Sequence, residues 1–262
     1  RKMSKSLGNS PDSIKLMEQF GADGVRLGML LCSSAGNDIL FDESQVEQGR
    51  NFCNKIWNAY RLIRGWEVSA DIQQSEHSKL AAEWFDNKLS QTIETIDEHF
   101  SKFRLSDALM TLYKFFWDDF CAWYLEVIKP EYGKPIDKVT YDTTIVFFEK
   151  LLRLLHPIMP FITEELWQNI EERRDGETIM LQPQPKAAPY SVETIHAFEQ
   201  GVGAIASVRN IRQSKGLSPK EALTLQIKGA FPEKIVSVVK RMANLSEVSL
   251  VSEIDNSVNG AA

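Results

Sequence analysis

Two lysines near the start of the chain have the residue type and spacing for phosphate chemistry. The first ten residues read Arg-Lys-Met-Ser-Lys-Ser-Leu-Gly-Asn-Ser, so Lys2 and Lys5 lie close together among small residues. Both ammonium groups could therefore reach one polyanion, as the lysine of a phosphate-binding loop does. The pattern favours a loop that stabilises charge developing on phosphate. Composition alone leaves open the alternative of a basic chain terminus without a ligand.

A second polar group follows one side of a helix predicted from residue 43 to about residue 64. At about 100° per residue, the residues that form this stripe, or lie directly beside it, are Arg50, Asn51, Asn54, Lys55, Asn58 and Arg61. Cations suit phosphates and carboxamides suit base edges, the two kinds of contact that position a protein on RNA and read its bases. The alternative is a solvated helix face, which the residues alone favour.

The elements that position both groups are predicted to be mainly helical. Apolar residues recur at helical spacing in segments at about 11–20, 22–32, 43–64, 79–103, 105–129, 141–155, 192–214 and 232–242. Alternating residues at 223–227 and 248–251 predict two strands joined by a helical crossover. The fold class is therefore a helical bundle with a small appended α/β unit.

Several local features are expected from turn and cap chemistry. Asn9 or Ser10 is expected to cap a helix that begins at Pro11. Thr163 is expected to cap the short helix that follows the two prolines at positions 157 and 160. Asp23 is expected to pair with the arginine three positions later, across a helical turn. Residues 178–181 read as a short extended piece within a Pro-rich linker.

Composition restricts the classes of function. The 262 residues include 43% hydrophobic and 25% charged residues, ordinary values for a globular protein. A net charge of −6 argues against a general basic surface, so any RNA binding must be local. No apolar run reaches the ~18 residues of a membrane span, which predicts a soluble, cytoplasmic protein. We also expect a monomer.

Cysteines, histidines and carboxylates suggest no further site. The cysteines are odd in number and the histidines are scattered, which predicts neither a disulfide framework nor a metal site. Asp118, Asp119 and Glu126 could be paired carboxylates for acid/base chemistry. Because nothing nearby is predicted to partner them, a solvated helix edge is the favoured interpretation.

The lysine loop carries a family resemblance. Lys2-Met3-Ser4-Lys5-Ser6, followed by Leu-Gly-Asn, resembles the signature loop of class I aminoacyl-tRNA synthetases. In that family the loop closes over ATP, and its lysines stabilise the triphosphate and the leaving pyrophosphate during adenylation. The resemblance implies catalytic roles for Lys5 and Lys2, with Lys5 contacting ATP, and ATP with Mg²⁺ as the cofactor of the full enzyme.

Separate segments narrow the resemblance and extend it over the chain. Residues 20–26, 38–42 and 160–167 resemble the class I group that charges branched aliphatic amino acids, and residues 50–59, 178–181 and 208–212 favour its valine-specific members. This implies the C-terminal portion of such an enzyme. The expected domains are 1–42, ending the catalytic domain; 43–174, the anticodon-binding bundle; and 175–262, a linker, a helix and a βαβ unit.

The same resemblance implies the partners. The bundle would bind the anticodon stem and loop of valine tRNA, with the stripe on residues 50–61 as candidate RNA contacts. ATP and valine would be reached through a catalytic domain. The chain alone is expected to be inactive and to hold no cofactor. The alternatives are the same region of an isoleucyl or leucyl enzyme, or a non-catalytic helical interaction module.

Overall fold

The computed structural model describes residues 4, 10–33 and 41–254, which are largely helical. The helices are α1 (Ser13–Phe20), α2 (Ala22–Leu31), α3 (Glu43–Arg64), α4 (Glu76–Ser101), α5 (Leu105–Lys114), α6 (Leu125–Ile128), α7 (Lys138–Leu155), α8 (Pro160–Ile170), α9 (Val192–Lys215) and α10 (Val236–Met242). The strands are β1 (Val68–Ser69), β2 (Ile136–Asp137), β3 (Leu223–Lys228) and β4 (Leu245–Val251). A π-helical segment, Phe115–Tyr124, joins α5 to α6. The predicted mainly helical fold with a small α/β unit is confirmed. Within the described ranges, no helix is long and apolar enough to cross a membrane.

The chain divides into two compact units. The first contains Arg1–Gly65, Thr92–Trp117 and Ile145–Ala187, and the second contains Trp66–Gln91, Asp118–Thr144 and Ala188–Ala262. Three of the boundaries fall within helical segments, so α4, the π-helical segment and α7 each contribute residues to both units.

In the first unit, α1 begins later than expected. Its cap is Asp12, whose Oδ1 accepts hydrogen bonds from the amides of Ile14 at 3.0 Å and Lys15 at 3.5 Å. The predicted start at Pro11 with Ser10 or Asn9 as the cap was wrong, because the Asp12 carboxylate satisfies these otherwise unpaired amides. The predicted end at about residue 20 is confirmed: α1 ends at Phe20, and Gly21 follows with φ of 76°.

Helices α2 and α3 of this unit cross with their backbones in close approach. A Cβ atom added at Gly49 would lie 2.2 Å from the carbonyl oxygen of Gly24, and one added at Gly28 would lie 2.6 Å from the Cα atom of Val46. Only glycine fits this close approach of the two backbones. The crossing fixes the rotation of α3 and therefore decides which of its sides faces outward.

The inward side of α3 packs on aromatic rings. Its buried residues are Val46, Gly49, Phe52, Ile56, Ala59 and Ile63. The Phe52 ring lies 4.6 Å from that of Tyr113 and 5.5 Å from that of Phe116, centroid to centroid. Burying one such side chain stabilises the fold by roughly 1.5–3 kcal/mol. Cys53 and Tyr60 lie half-buried at the edges of this inward side.

Asp23 and Arg26 on α2 both bond to the segment that precedes and opens α8. Asp23 accepts hydrogen bonds from the amides of Ile162 at 2.7 Å and Phe161 at 3.4 Å. Arg26 donates to the carbonyl of Ile158 at 2.8 Å and to that of the preceding residue. Burial raises the pKa of Asp23, while the two amides oppose that shift. The Arg26 charge also lowers the pKa of Asp23, as the expected pairing across one turn requires, but the hydrogen bonds of both side chains go to a distant segment that tertiary packing brings close.

The N-terminus of α8 also differs from expectation. The helix begins at Pro160, whereas Thr163 is buried inside it and donates its hydroxyl hydrogen to the carbonyl of Met159 at 2.7 Å. Thr163 is therefore not the cap. Proline suits the first helical position because it has no amide to satisfy there, and the buried carboxylate of Asp23 serves the following amides instead.

The second unit is centred on a stack of aromatic rings. The rings of Trp84 and Phe198 lie parallel, with centroids 3.9 Å apart, and Phe85 contacts Tyr124 at 4.8 Å. The Tyr124 hydroxyl forms a 2.9 Å hydrogen bond with that of Thr144. Because these aromatics are buried, their role is core packing, as the helical spacing predicts.

A small βαβ arrangement lies in the same unit. Strands β3 and β4 are parallel, with α10 between them in the chain, as predicted. Arg212 at the end of α9 is buried and donates to the carbonyls of Ser218, Ala243 and Asn244 at 2.8–3.1 Å. The Arg212 guanidinium therefore holds the end of α9 to the α/β unit. Its charge also interacts favourably with the C-terminus of its own helix.

The linker contains one short helical turn. Residues Ile179–Leu181 form a 3-10 turn, where an extended piece was expected. The reason is local, since the hydroxyl of Thr178 accepts a hydrogen bond from the amide of Met180 at 3.2 Å and closes the turn.

The carboxylate of Asp119 is half-buried in the second unit, contrary to the expected solvated edge. Burial raises its pKa to about 6; the Lys88 charge opposes that shift, and Asp118 and Glu199 add to it. The folded chain therefore binds this proton more tightly than the unfolded chain does. The contribution of the protonated Asp119 to the free energy of unfolding is fully present below about pH 4 and is lost as pH rises through about 6.

Asp119→Asn is therefore expected to stabilise the chain at pH 7.5, with the gain shrinking at pH 5. Urea unfolding at both pH values measures this. Asp71→Asn, a change at an exposed aspartate of the same unit that does not contribute to the pKa shift of Asp119, is the matched control and should show no such dependence on pH. A gain for Asp119→Asn that is equal at both pH values would contradict the expectation.

Candidate nucleic-acid interface

The predicted polar stripe lies on the outward side of α3. Asn51, Asn54, Asn58 and Arg61 are exposed, whereas Arg50 and Lys55 are half-buried. The helix starts at Asp42, whose carboxylate accepts a 2.9 Å hydrogen bond from the amide of Ser44. Three carboxamides and a guanidinium are thus presented to solvent along one helix.

Lys55 sits beside an aromatic pair on α5 and the π-helical segment. Its Nζ lies 5.0 Å from the centroid of the Trp117 ring, which stacks on Tyr113 at 5.6 Å and 20°. Both rings are half-buried. A cation above an aromatic face is attracted by the ring quadrupole, so Lys55 is held at the edge of α3, with its ammonium beside partly exposed rings.

Arg50 is the least available member of the stripe. Its guanidinium lies 5.7 Å from the centroid of Phe20 on α1 and 3.7 Å from a carboxylate oxygen of Glu47. The Arg50 Nε is buried and has no hydrogen-bond partner in the described part of the chain. These contacts hold the Arg50 side chain against the protein, and the carboxylate of Glu47 partly neutralises its positive charge.

Trp57 is a member of this surface that the sequence interpretation missed. It is 40% exposed, and its ring lies 5.9 Å from that of Tyr60, which donates its hydroxyl hydrogen to the carbonyl of Asn169 at 2.9 Å. At about 100° per residue it lies roughly 20° from Arg50 and about 40° from Arg61 around the helix. The signal was therefore present in the helical periodicity, and an exposed indole offers a stacking face for a base.

Lys2 and Lys5, the predicted phosphate-binding lysines, lie outside the described residues. The described helix that follows, α1, packs with Leu16 and Phe20 against Val46 on α3. In the described ranges, no group of three or more histidine, cysteine or carboxylate side chains could hold a metal ion.

Comparison with known proteins identifies the class. Residues 82–227, more than half of the chain, match the family described as the anticodon-binding domain of tRNA ligase. Residues 1–42 match the family of class I tRNA synthetases for I, L, M and V. The chain therefore belongs to the anticodon-binding domain family of tRNA ligases, and the predicted class I resemblance is confirmed.

Individual relatives are valine–tRNA ligases. The chain is 54% identical over 97% of its length to that of Parabacteroides distasonis, 52% over its full length to that of Phocaeicola vulgatus, and 36% over 97% to that of Fusobacterium nucleatum. It spans only 29–31% of the length of these relatives.

One solved structure shares the fold. It is the ternary complex LeuRS-tRNA-LeuAMS of Agrobacterium radiobacter K84, with a TM-score of 0.50 and 19% identity over 92% of this chain and 27% of that one. At this identity the likeness concerns the fold alone.

Proposed function

We propose that this chain binds the anticodon stem and loop of valine tRNA as part of a valine–tRNA ligase. The observation that carries the proposal is the outward face of α3, which presents three carboxamides and Arg61 to solvent on a chain of net charge −6. The family match over residues 82–227 and the identity to valine–tRNA ligases support the same assignment.

The side chains of this face divide into two chemical groups. Arg61 and Lys55 would contact phosphates and contribute affinity that weakens with salt. Asn51, Asn54 and Asn58 could donate to and accept from the edges of unstacked bases, which is how single-stranded loops are read. Arg50, turned toward Phe20, would contribute least among the cations.

The lysine loop would serve the chemical step of the same ligase. In this proposal Lys5 and Lys2 stabilise negative charge on the triphosphate of ATP as valine attacks and pyrophosphate leaves. Mg²⁺ would accompany ATP. The match of residues 1–42 to class I tRNA synthetases supports this assignment. A basic loop that closes on its substrate excludes water and strengthens each charge interaction.

The proposal predicts the effect of removing the two cations of α3. Lys55→Ala and Arg61→Ala, each in the intact ligase, should raise the Michaelis constant for valine tRNA about tenfold, the loss expected for one charge-assisted contact. Each should also reduce the salt slope of binding by about one. Steady-state charging and filter binding at several salt concentrations measure both quantities.

The matched control is Lys79→Ala, which removes an exposed cation from α4 and should leave the Michaelis constant unchanged. An unchanged constant for the α3 variants would mean that this face is only solvated. Charging assays with valine, isoleucine and leucine separate the valine assignment from its class I neighbours, and equal binding of unrelated tRNAs would favour a general interaction module.

A further inference from the structure

Phe103 lies at the turn between α4 and α5, where its aromatic ring is exposed to solvent and its backbone is strained. Its side chain is 84% exposed, and its φ of 56° is in the left-handed region. Bulky residues rarely adopt that conformation, because Cβ approaches the following carbonyl. An exposed, strained aromatic residue suggests a role outside the stability of the chain.

The backbone at this turn requires a left-handed residue. The amide of Arg104 donates to the carbonyl of His99 at 2.9 Å, and that of Phe103 to the carbonyl of Phe100 at 3.0 Å. This is the Schellman ending of a helix, in which glycine is the usual residue at the position of Phe103. Helix α9 ends with the same hydrogen-bond pattern, and Gly216 with φ of 64° stands at the equivalent position.

The neighbours of Phe103 are also apolar and open to solvent. Phe100 is 44% exposed and Leu105 is 47% exposed, so three large apolar side chains lie on one turn. We call these three residues the hairpin tip. The exposed cations Lys102 and Arg104 flank Phe103, but Lys102 pairs with Glu98 and Arg104 acts on the same carboxylate. Because their charge is offset in this way, the apolar cluster favours a protein surface over RNA.

The hairpin tip is tied to the part of the chain that resembles the catalytic family. The hydroxyl of Ser106, one residue beyond the tip, donates to the carbonyl of Leu30 at 2.9 Å and also contacts that of Ser33. Leu30 lies in the last turn of α2 and in the range 1–42 that matches class I tRNA synthetases. The apolar side chains are therefore presented next to the segment that matches class I tRNA synthetases.

We propose that Phe103, with Phe100 and Leu105, docks into an apolar surface of the catalytic body of the same ligase. The inference rests on the proposed function, because it requires that the chain work as part of a longer class I enzyme. The relatives are about three times as long as the match, which provides such a body. Docking the hairpin tip would orient the RNA-binding helices relative to the catalytic site.

Hydroxyl-radical footprinting read by mass spectrometry measures the exposure of Phe103 directly. In the 262-residue chain the ring should react readily, and in the intact ligase without tRNA its oxidation should be at least about fivefold slower, as expected for a side chain that becomes buried. Equal reactivity in the two proteins would overturn the proposal. Protection that appears only when tRNA is added would also overturn it, in favour of an RNA contact.

Phe103→Gly provides a second test, in which the two proteins respond in opposite directions. In the chain alone, relief of the left-handed strain should raise the melting temperature by about 2–4 °C. In the intact ligase, kcat/KM for tRNA charging should fall about tenfold through lost docking, the effect expected of one well-packed aromatic anchor. The control Tyr132→Gly removes a fully exposed aromatic without a positive φ and should not raise the melting temperature.

Different results would reject the docking of the hairpin tip and the RNA binding by α3. Unchanged charging by Phe103→Gly, together with a raised Michaelis constant for Lys55→Ala, would reject the docking and leave the proposed RNA binding intact. Unchanged tRNA binding by the α3 variants would instead reject the proposed function.

Discussion

Replacing Lys5 by alanine in the intact ligase is expected to slow valine-dependent ATP–pyrophosphate exchange by about 10²–10³-fold, with little change in valine binding. Loss of one preorganised charge or donor that acts on the transition state has an effect of this size. Because the interaction forms with the phosphates as they separate, the loss should appear in the rate and not in the affinity for valine.

The measurement is steady-state pyrophosphate exchange at saturating valine and ATP, with valine affinity determined separately by equilibrium dialysis. Lys15→Ala is the matched control, because Lys15 is an exposed lysine on the adjacent helix α1. Its exchange rate should equal that of the unmodified enzyme. An exchange rate unaffected by Lys5→Ala would remove the catalytic role from the lysine loop.

Gly49→Ala is expected to have the largest effect on stability, lowering the free energy of unfolding by about 3 kcal/mol. The new Cβ would lie 2.2 Å from the carbonyl oxygen of Gly24 and 3.0 Å from its carbonyl carbon and Cα. All three are backbone atoms, so no side chain can rotate away and the two helices must separate. The seam formed by Val46 and Phe52 would lose contacts as a result.

Urea unfolding of the chain followed by circular dichroism measures this change. The control is Gly203→Ala on α9, where an added Cβ meets nothing within 4 Å. Since alanine favours helix over glycine, that variant should gain about 0.5–1 kcal/mol. Equal stability of Gly49→Ala and the unmodified chain would show that the α2–α3 crossing can relax, contrary to the geometry.

The α3 helix shows how much of the candidate site was predictable. Its bounds from residue 43 to residue 64 and its outward polar stripe follow from periodicity alone, and the structure confirms both. Periodicity assigns a residue to a side of a helix but does not tell how far its neighbours cover it. Arg50 and Lys55 are half-buried for that reason, since Phe20 and Trp117 come from distant segments.

Helix starts illustrate the limits of local rules. Thr163 and Asp12 are both plausible caps by residue type, yet only Asp12 fills that role. The amides at the start of α8 are served by Asp23, which is far away in the chain. A local rule cannot identify a cap that tertiary packing supplies, and the same reason explains why Arg26 bonds to Ile158.

The sequence by itself determined the class of protein, the succession of helices and the residues that could contact phosphate or RNA. The class of protein follows from the resemblance of its motifs to a known family, whereas the helices and the candidate contacts depend on residue type and on spacing along one helix, which short-range geometry dictates. Only the tertiary structure decided which polar residues remain accessible, because accessibility depends on the backbone contact of Gly24 with Gly49 and on packing between distant helices. It also revealed Phe103, whose left-handed backbone and exposure are properties of the folded turn.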